Sequence, residues 1–185
     1  MFHRKLDDSS ELKTPDPADA AELFALIDNN RARLREWLPW LDFNKTAEDS
    51  SKFIKSNIQN EADKKGITAL IWHKGKIAGV ASQHLIDWSN KKVSLGYWIG
   101  EAFEGKGLIT RATEALTDHS IREDKLNRVE LRIATGNNKS WAVAERLGFQ
   151  FEGVARSSEW LYDHFVDHKV YAMLAADWLK ARARS

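Results

Sequence analysis

The sequence predicts an α+β fold: one mixed, mostly antiparallel sheet with helices on both faces. Three observations carry that prediction. Apolar runs at 67–73, 77–88 and 93–99 are separated by short polar turns at Lys74-Gly75 and Ser89-Asn90-Lys91, the pattern of an antiparallel meander. The 93–99 run, a helical stripe of Leu108, Ala112, Ala115, Leu116 and Ile121, and the alternating R-V-E-L-R-I-A of 128–134 make a βαβ unit whose strands run parallel. Two more strands, 149–160 and 166–174, follow before a C-terminal helix at 175–183.

Taken in order, 2–6 and 11–14 are short extended segments, ended by Pro15 and Pro17, whose rings disfavour helix in the residue before each. A helix starts near Ala18 with Ala21, Leu23, Phe24 and Ile27 on one stripe. Leu34, Trp37, Leu38 and Leu41 continue it after the Asn29-Asn30 break, and Pro39 ends that piece. A further helix spans 49–61. After the βαβ unit, Thr135-Gly136-Asn137-Asn138 turns the chain into a short helix at 140–147, closed by Gly148 just past its last turn.

Composition excludes several functions. At 185 residues the chain is expected to form a single domain, 1–185, with a core large enough to need no metal or disulfide staple. It has no cysteine, which removes disulfides, zinc-thiolate sites and a cysteine nucleophile, and fits a reducing compartment. Lys and Arg total 28 against 27 Asp and Glu, so no strong field invites direct nucleic-acid contact. No apolar run approaches the ~18 residues of a membrane span. A soluble cytoplasmic protein is expected, with oligomeric state left open and a homodimer included.

The stretch 98–111, W-I-G-E-A-F-E-G-K-G-L-I-T-R, carries the chemistry. Gly105 and Gly107 bring no side chain to block a ligand, and the first amides of the helix that follows have no partner within it. A helix start carries roughly half a positive charge, so phosphate or pyrophosphate suits it, with Lys106 and Arg111 as extra cations. By itself, the same pattern also describes a plain tight turn. It contains neither the Walker sequence nor the third glycine of the dinucleotide fingerprint.

The order strand, E-G-K-G-L-I-T-R-A, helix, strand, N-N-K-S-W-A-V-A-E-R-L-G-F, strand, strand resembles the GCN5-related N-acetyltransferases (GNAT), and more narrowly their ribosomal-protein N-acetyltransferase branch. The resemblance covers nearly the whole chain, including the early W-L-P-W-L. In the family loop [QR]-x-x-G-x-[GA], Gly107 matches the glycine, while Glu104 and Ile109 depart from the outer positions. The resemblance implies a central parallel pair that splays apart and admits acetyl-coenzyme A. Its diphosphate would be held by the amides of Gly105, Lys106, Gly107, Leu108, Ile109 and Thr110, with the Thr110 hydroxyl as a further donor. The pantetheine arm would pair with the backbone near Trp98 and Ile99, and the Ile99 amide would face the oxyanion.

The resemblance also implies Glu159, in S-S-E-W, as the general base, Ser140 as the hydrogen-bond donor to the leaving sulfur, and Asn137 as a contact to the coenzyme arm. Read as residues alone, Glu159 is equally a rim carboxylate, Ser140 a helix cap and Asn137 a turn former. Trp37, Trp40 and Trp160 are placed as walls of the acceptor groove, with core packing as their other role. No metal is required, and D-H-F-V-D-H at 163–168 is read as a hairpin turn with exposed polar residues.

The implied reaction is acetyl transfer to a primary amine. An α-amino group, with a pKa of about 7.7 to 8.0, is neutral near pH 7 roughly several hundred-fold more often than a lysine at about 10.4, so a protein N-terminus, a ribosomal protein's included, is the easier acceptor. Two alternatives stand beside it: acetylation of a small-molecule amine such as a polyamine, an antibiotic or an amino acid, and a non-catalytic coenzyme A sensor.

Overall fold

The structure, a computed structural model, describes residues 1–84 and 86–183. The strands are β1 (His3–Asp7), β2 (Ser10–Lys13), β3 (Thr68–His73), β4 (Lys76–Gln83), β5 (Lys92–Ile99), β6 (Arg128–Ala134), β7 (Gln150–Leu161) and β8 (His164–Leu174). They form one sheet in the order β1-β2-β3-β4-β5-β6-β8-β7. Every neighbouring pair is antiparallel except β5 and β6.

The helices are α1 (Ala20–Asn29), α2 (Arg31–Arg35), α3 (Ala47–Ala62), α4 (Leu108–Arg122), α5 (Asn138–Arg146) and α6 (Ala175–Arg182). One face of the sheet is covered by α1, α2 and α3 through Leu23, Ile27, Leu34 and Ile54. The other is covered by α4, α5 and α6, where Leu108, Ala112, Leu116, Ala144 and Trp178 pack on Val93, Leu95, Val129 and Leu131. Burying each large apolar side chain contributes ~1.5–3 kcal/mol, so the first residue of α4, Leu108 at 1% exposure, ties the helix start firmly to the sheet.

Two sequence expectations need adjusting. The second helical piece is only five residues long, because Pro39 forbids helix at Leu38 and the chain turns into a single 3-10 turn at Leu41–Phe43. The strand expected over 77–88 stops at Gln83, and Asp87 then forms an isolated bridge to Lys92. Leu85, inside that range, lies outside the described residues.

The parallel ladder is short. Pairing runs from Lys92 with Arg128 to Leu95 with Leu131 and ends there, although both strands continue. Beyond that point β5 stays paired to β4 through Ile99, and β6 stays paired to β8 through Ala134. Each strand is held by its outer neighbour and released by its inner one, which opens a wedge in the middle of the sheet.

Candidate active site

The wedge exposes a defined set of main-chain groups. The Gly100 amide donates to the Ala78 carbonyl at 2.8 Å and the His84 amide donates to the Ser94 carbonyl at 2.8 Å, so the even-numbered residues of β5 address β4. By the alternation of an antiparallel ladder, Tyr97 and Ile99 direct their backbone groups to the opposite side, into the wedge. The Ile99 amide therefore faces the wedge. The main chain of Trp98 is instead committed to β4, and Tyr97 shares the wedge-facing side with Ile99.

At the open end of the wedge the chain passes a 3-10 turn, Glu101–Phe103, and reaches the glycine loop. Gly105 and Gly107 have φ of 71° and 70°, left-handed values that disfavour any residue with a Cβ, and Gly107 is the N-cap of α4. Among the described residues, none accepts a hydrogen bond from the amides of Gly105, Lys106, Gly107, Leu108, Ile109 or Thr110; the first amide of this run to find a protein partner is that of Arg111, on the Gly107 carbonyl at 3.1 Å. Six consecutive donors at a helix start remain for an anion.

The side chains around this loop behave differently from one another. Glu104 is held away by an ion pair to Arg33 and a 3.0 Å ion pair to Lys139, so its charge is neutralised by the protein. Ile109 packs against the core and offers only its amide to the loop. Lys106 Nζ donates to the Ala102 carbonyl at 2.8 Å, and Arg111 is spoken for by Asp7 and the Lys106 carbonyl, each at 2.9 Å. The cation that does reach the loop is Arg146 of α5, which donates to Thr110 Oγ1 at 2.9 Å and leaves the hydroxyl hydrogen free. Sequence reading missed it, since α5 and the loop are joined only by the fold.

Across the wedge, Asn137 caps α5 by accepting the Ser140 amide at 3.3 Å, so Ser140 is not the cap. The Ser140 hydroxyl donates to the Tyr97 hydroxyl at 3.4 Å, which itself donates to the Ser140 carbonyl at 2.9 Å. Burial pushes the Tyr97 phenol up to about 12, so it remains a donor at any working pH. Tyr97 is a second residue the sequence reading passed over. Its spacing of two from Ile99, on the same side of β5, was the available signal.

The tryptophans at 37, 40 and 98 pack as follows. The Trp40 and Trp98 rings are 6.1 Å apart, and the Trp37 ring lies against Gly136, 3.5 Å from where a Cβ there would sit. The backbone of 38–41 is clamped by Tyr162, whose hydroxyl donates to the Leu38 carbonyl and accepts the Leu41 amide at 3.3 Å. Trp160 is not brought into this group: neighbouring residues in a strand point to opposite faces, and its aromatic partner is Phe165 at 4.9 Å.

Glu159 owes its place to an irregularity in β7. Ala155 pairs with His168 and Glu159 with Val166, so three residues oppose Asp167. Without the two extra residues Ser157 would stand opposite Val166. Ser157 adopts a left-handed φ of 47° and donates its amide to Asp167 Oδ1 at 2.8 Å. Glu159 then reaches His168 Nε2 at 3.4 Å. The reading of 163–168 as an exposed turn is corrected here: β8 begins at His164, and the His168 side chain is only 12% exposed. Among the described residues no cluster of three or more His, Cys, Asp or Glu could hold a metal ion.

Residues 11–150 match the acetyltransferase (GNAT) domain family. The chain is a GNAT acetyltransferase. Bacillus subtilis YdaF is 36% identical to it over 96% of this chain and 98% of its own length. The ribosomal-protein-serine acetyltransferase of Escherichia coli is 30% identical over 92% and 95%. The crystal structure of the microcin C7 self-immunity acetyltransferase MccE in complex with acetyl-CoA and AMP superimposes with a TM-score of 0.87 at 32% identity, covering 92% of this chain and 94% of that one. The GNAT chain is thus an acetyl-CoA-dependent N-acetyltransferase, and its free amide run and open wedge fit that cosubstrate. The coenzyme-sensor alternative gives way to an enzyme.

Proposed function

We propose that this enzyme is cytoplasmic and acetylates the α-amino group of a protein N-terminus, with a ribosomal protein as acceptor. In this reading the amides of Gly105 to Thr110 hold the diphosphate of acetyl-CoA, helped by the Thr110 hydroxyl. The Tyr97 and Ile99 main chain pairs with the pantetheine arm. The Ile99 amide stabilises the oxyanion as the amine attacks the thioester carbonyl. Glu159 accepts the proton that the ammonium must lose before it becomes a nucleophile. The Ser140 hydroxyl donates to the leaving sulfur, with Asn137 setting its helix. Trp37, Trp40 and Trp98 line the acceptor side.

The observation that carries the acceptor class is the similarity to a ribosomal-protein-serine acetyltransferase along nearly the full length of both chains. The lower pKa of an α-amine supports it, because the general base then has less to do. A second reading, the same chemistry on a small-molecule amine, is favoured by the similarity to the spermidine N(1)-acetyltransferase of Escherichia coli, 23% identical over 76% of this chain and 70% of its own length. Acetyl-dependent thiol release on a panel of N-terminal peptides against polyamines and amino acids separates the two. Peptide turnover at least tenfold above every small amine is the expected result, and the reverse order refutes it.

A further inference from the structure

We infer that His168 is a positioning residue for the transfer reaction: it orients Glu159 and briefly holds the acceptor's proton, which reaches water through the more open carboxylate. The inference rests on the reading of Glu159 as general base.

The geometry is specific. His168 Nε2 lies 3.4 Å from Glu159 Oε2, and the two side chains are 12% and 31% exposed. The β7 bulge sets this contact, because it advances the strand by two residues and leaves Glu159 one diagonal step from His168 on the same face. The imidazole is covered while the carboxylate is more open, so the pair points from the acceptor side inward to the sheet. His84, at the end of β4, covers Gly96 so closely that a Cβ there would lie 2.5 Å from its Nε2. Its field partner is Glu159, and desolvation pushes the His84 imidazole below the usual histidine range against the pull of that carboxylate. His84 therefore faces the pair as a neutral ring. The charged groups of β6 on this face are Arg128, Glu130 and Arg132, with Glu130 paired to Arg128 at 2.7 Å and to Arg132 at 3.2 Å, while Asp167 of β8 is engaged by the Ser157 amide.

Proton counting gives the pair its task. An acceptor arriving as an ammonium leaves as an amide and so loses two protons. One ends on the coenzyme sulfur as the C–S bond breaks and the N–C bond forms. The other must reach water. Glu159 Oε2 takes a nitrogen proton and shares it with His168 Nε2, which becomes imidazolium until the proton leaves to water through the more exposed carboxylate.

The test is the kcat of H168Q between pH 6.5 and 9.5, using whichever amine of the peptide and polyamine panel the wild-type enzyme acetylates fastest, with E159Q alongside. The expected result is a loss of about 30-fold at pH 7 that shrinks to about threefold at pH 9.5 for an α-amine, already neutral there, and begins to shrink only near pH 9.5 for a polyamine amine at about 10.4, with acetyl-CoA affinity by calorimetry unchanged. For H168A, added imidazole restores turnover about tenfold. A loss that is the same at every pH, or no imidazole rescue, overturns the relay. E159Q inactive with H168Q indistinguishable from wild type removes His168 alone, whereas fully active E159Q, or no amine acetylated by wild type, removes the base reading and this inference with it.

Discussion

Replacing Gly107 by valine tests the coenzyme site at its backbone. Gly107 has φ of 70°, a conformation that costs a residue with a Cβ roughly 1–2 kcal/mol and a β-branched one more. The new Cβ would also lie 2.9 Å from Arg111 Nη1, and that guanidinium is tethered to Asp7 and the Lys106 carbonyl. The loop relieves the strain by rotating the peptide planes on either side, which carry the Gly107 and Leu108 amides. Hydrogen bonds to a charged acceptor contribute ~1.5–3 kcal/mol each, so losing two weakens binding by about 3–6 kcal/mol. That corresponds to roughly 10²- to 10⁴-fold in Kd. Isothermal calorimetry with acetyl-CoA measures it, and thermal unfolding checks that the fold survives, with Tm lowered by about 2–8 °C. A G107V enzyme binding acetyl-CoA within threefold of wild type refutes the amide cradle.

Three further outcomes are expected. E159Q keeps its acetyl-CoA affinity while kcat at neutral pH falls about a hundredfold, measured by thiol release; full activity removes Glu159 from the chemistry. Y162F frees the Leu38 carbonyl and the Leu41 amide, so the Trp37 and Trp40 segment loosens: KM for the acceptor rises about tenfold with KM for acetyl-CoA unchanged, and an unchanged acceptor KM argues against the clamp. Because the fold holds the His84 imidazole below its ordinary pKa, the folded state binds fewer protons than the unfolded one, and stability drops as pH falls below about 6.5. In H84Q the fall in Tm between pH 7.5 and 5 is smaller than in wild type; equal slopes contradict this.

Sequence reading succeeded where a local pattern is strong. Arg128 to Ala134 alternates strictly and forms β6 with those bounds, and the glycine loop leading into α4 follows from Gly107 at the cap. It failed where the fold supplies the partner. The polar string around His168 looks like a turn, yet Val166, His168 and Val170 share one face of β8, and the contact with Glu159 depends on a bulge at Ser157, a residue with no intrinsic preference for its left-handed φ. Tyr97 went unnoticed because its partner Ser140 comes 43 residues later in the chain. Arg146 and Thr110 meet only once α5 packs beside α4.

The most direct test is a crystal structure of the enzyme with acetyl-CoA. Diphosphate oxygens within about 3.2 Å of the amides of Gly105 to Thr110, with the thioester carbonyl facing the Ile99 amide between β5 and β6, is the predicted result. Acetyl-CoA bound elsewhere, or a glycine loop whose amides turn to protein acceptors in the complex, contradicts the account.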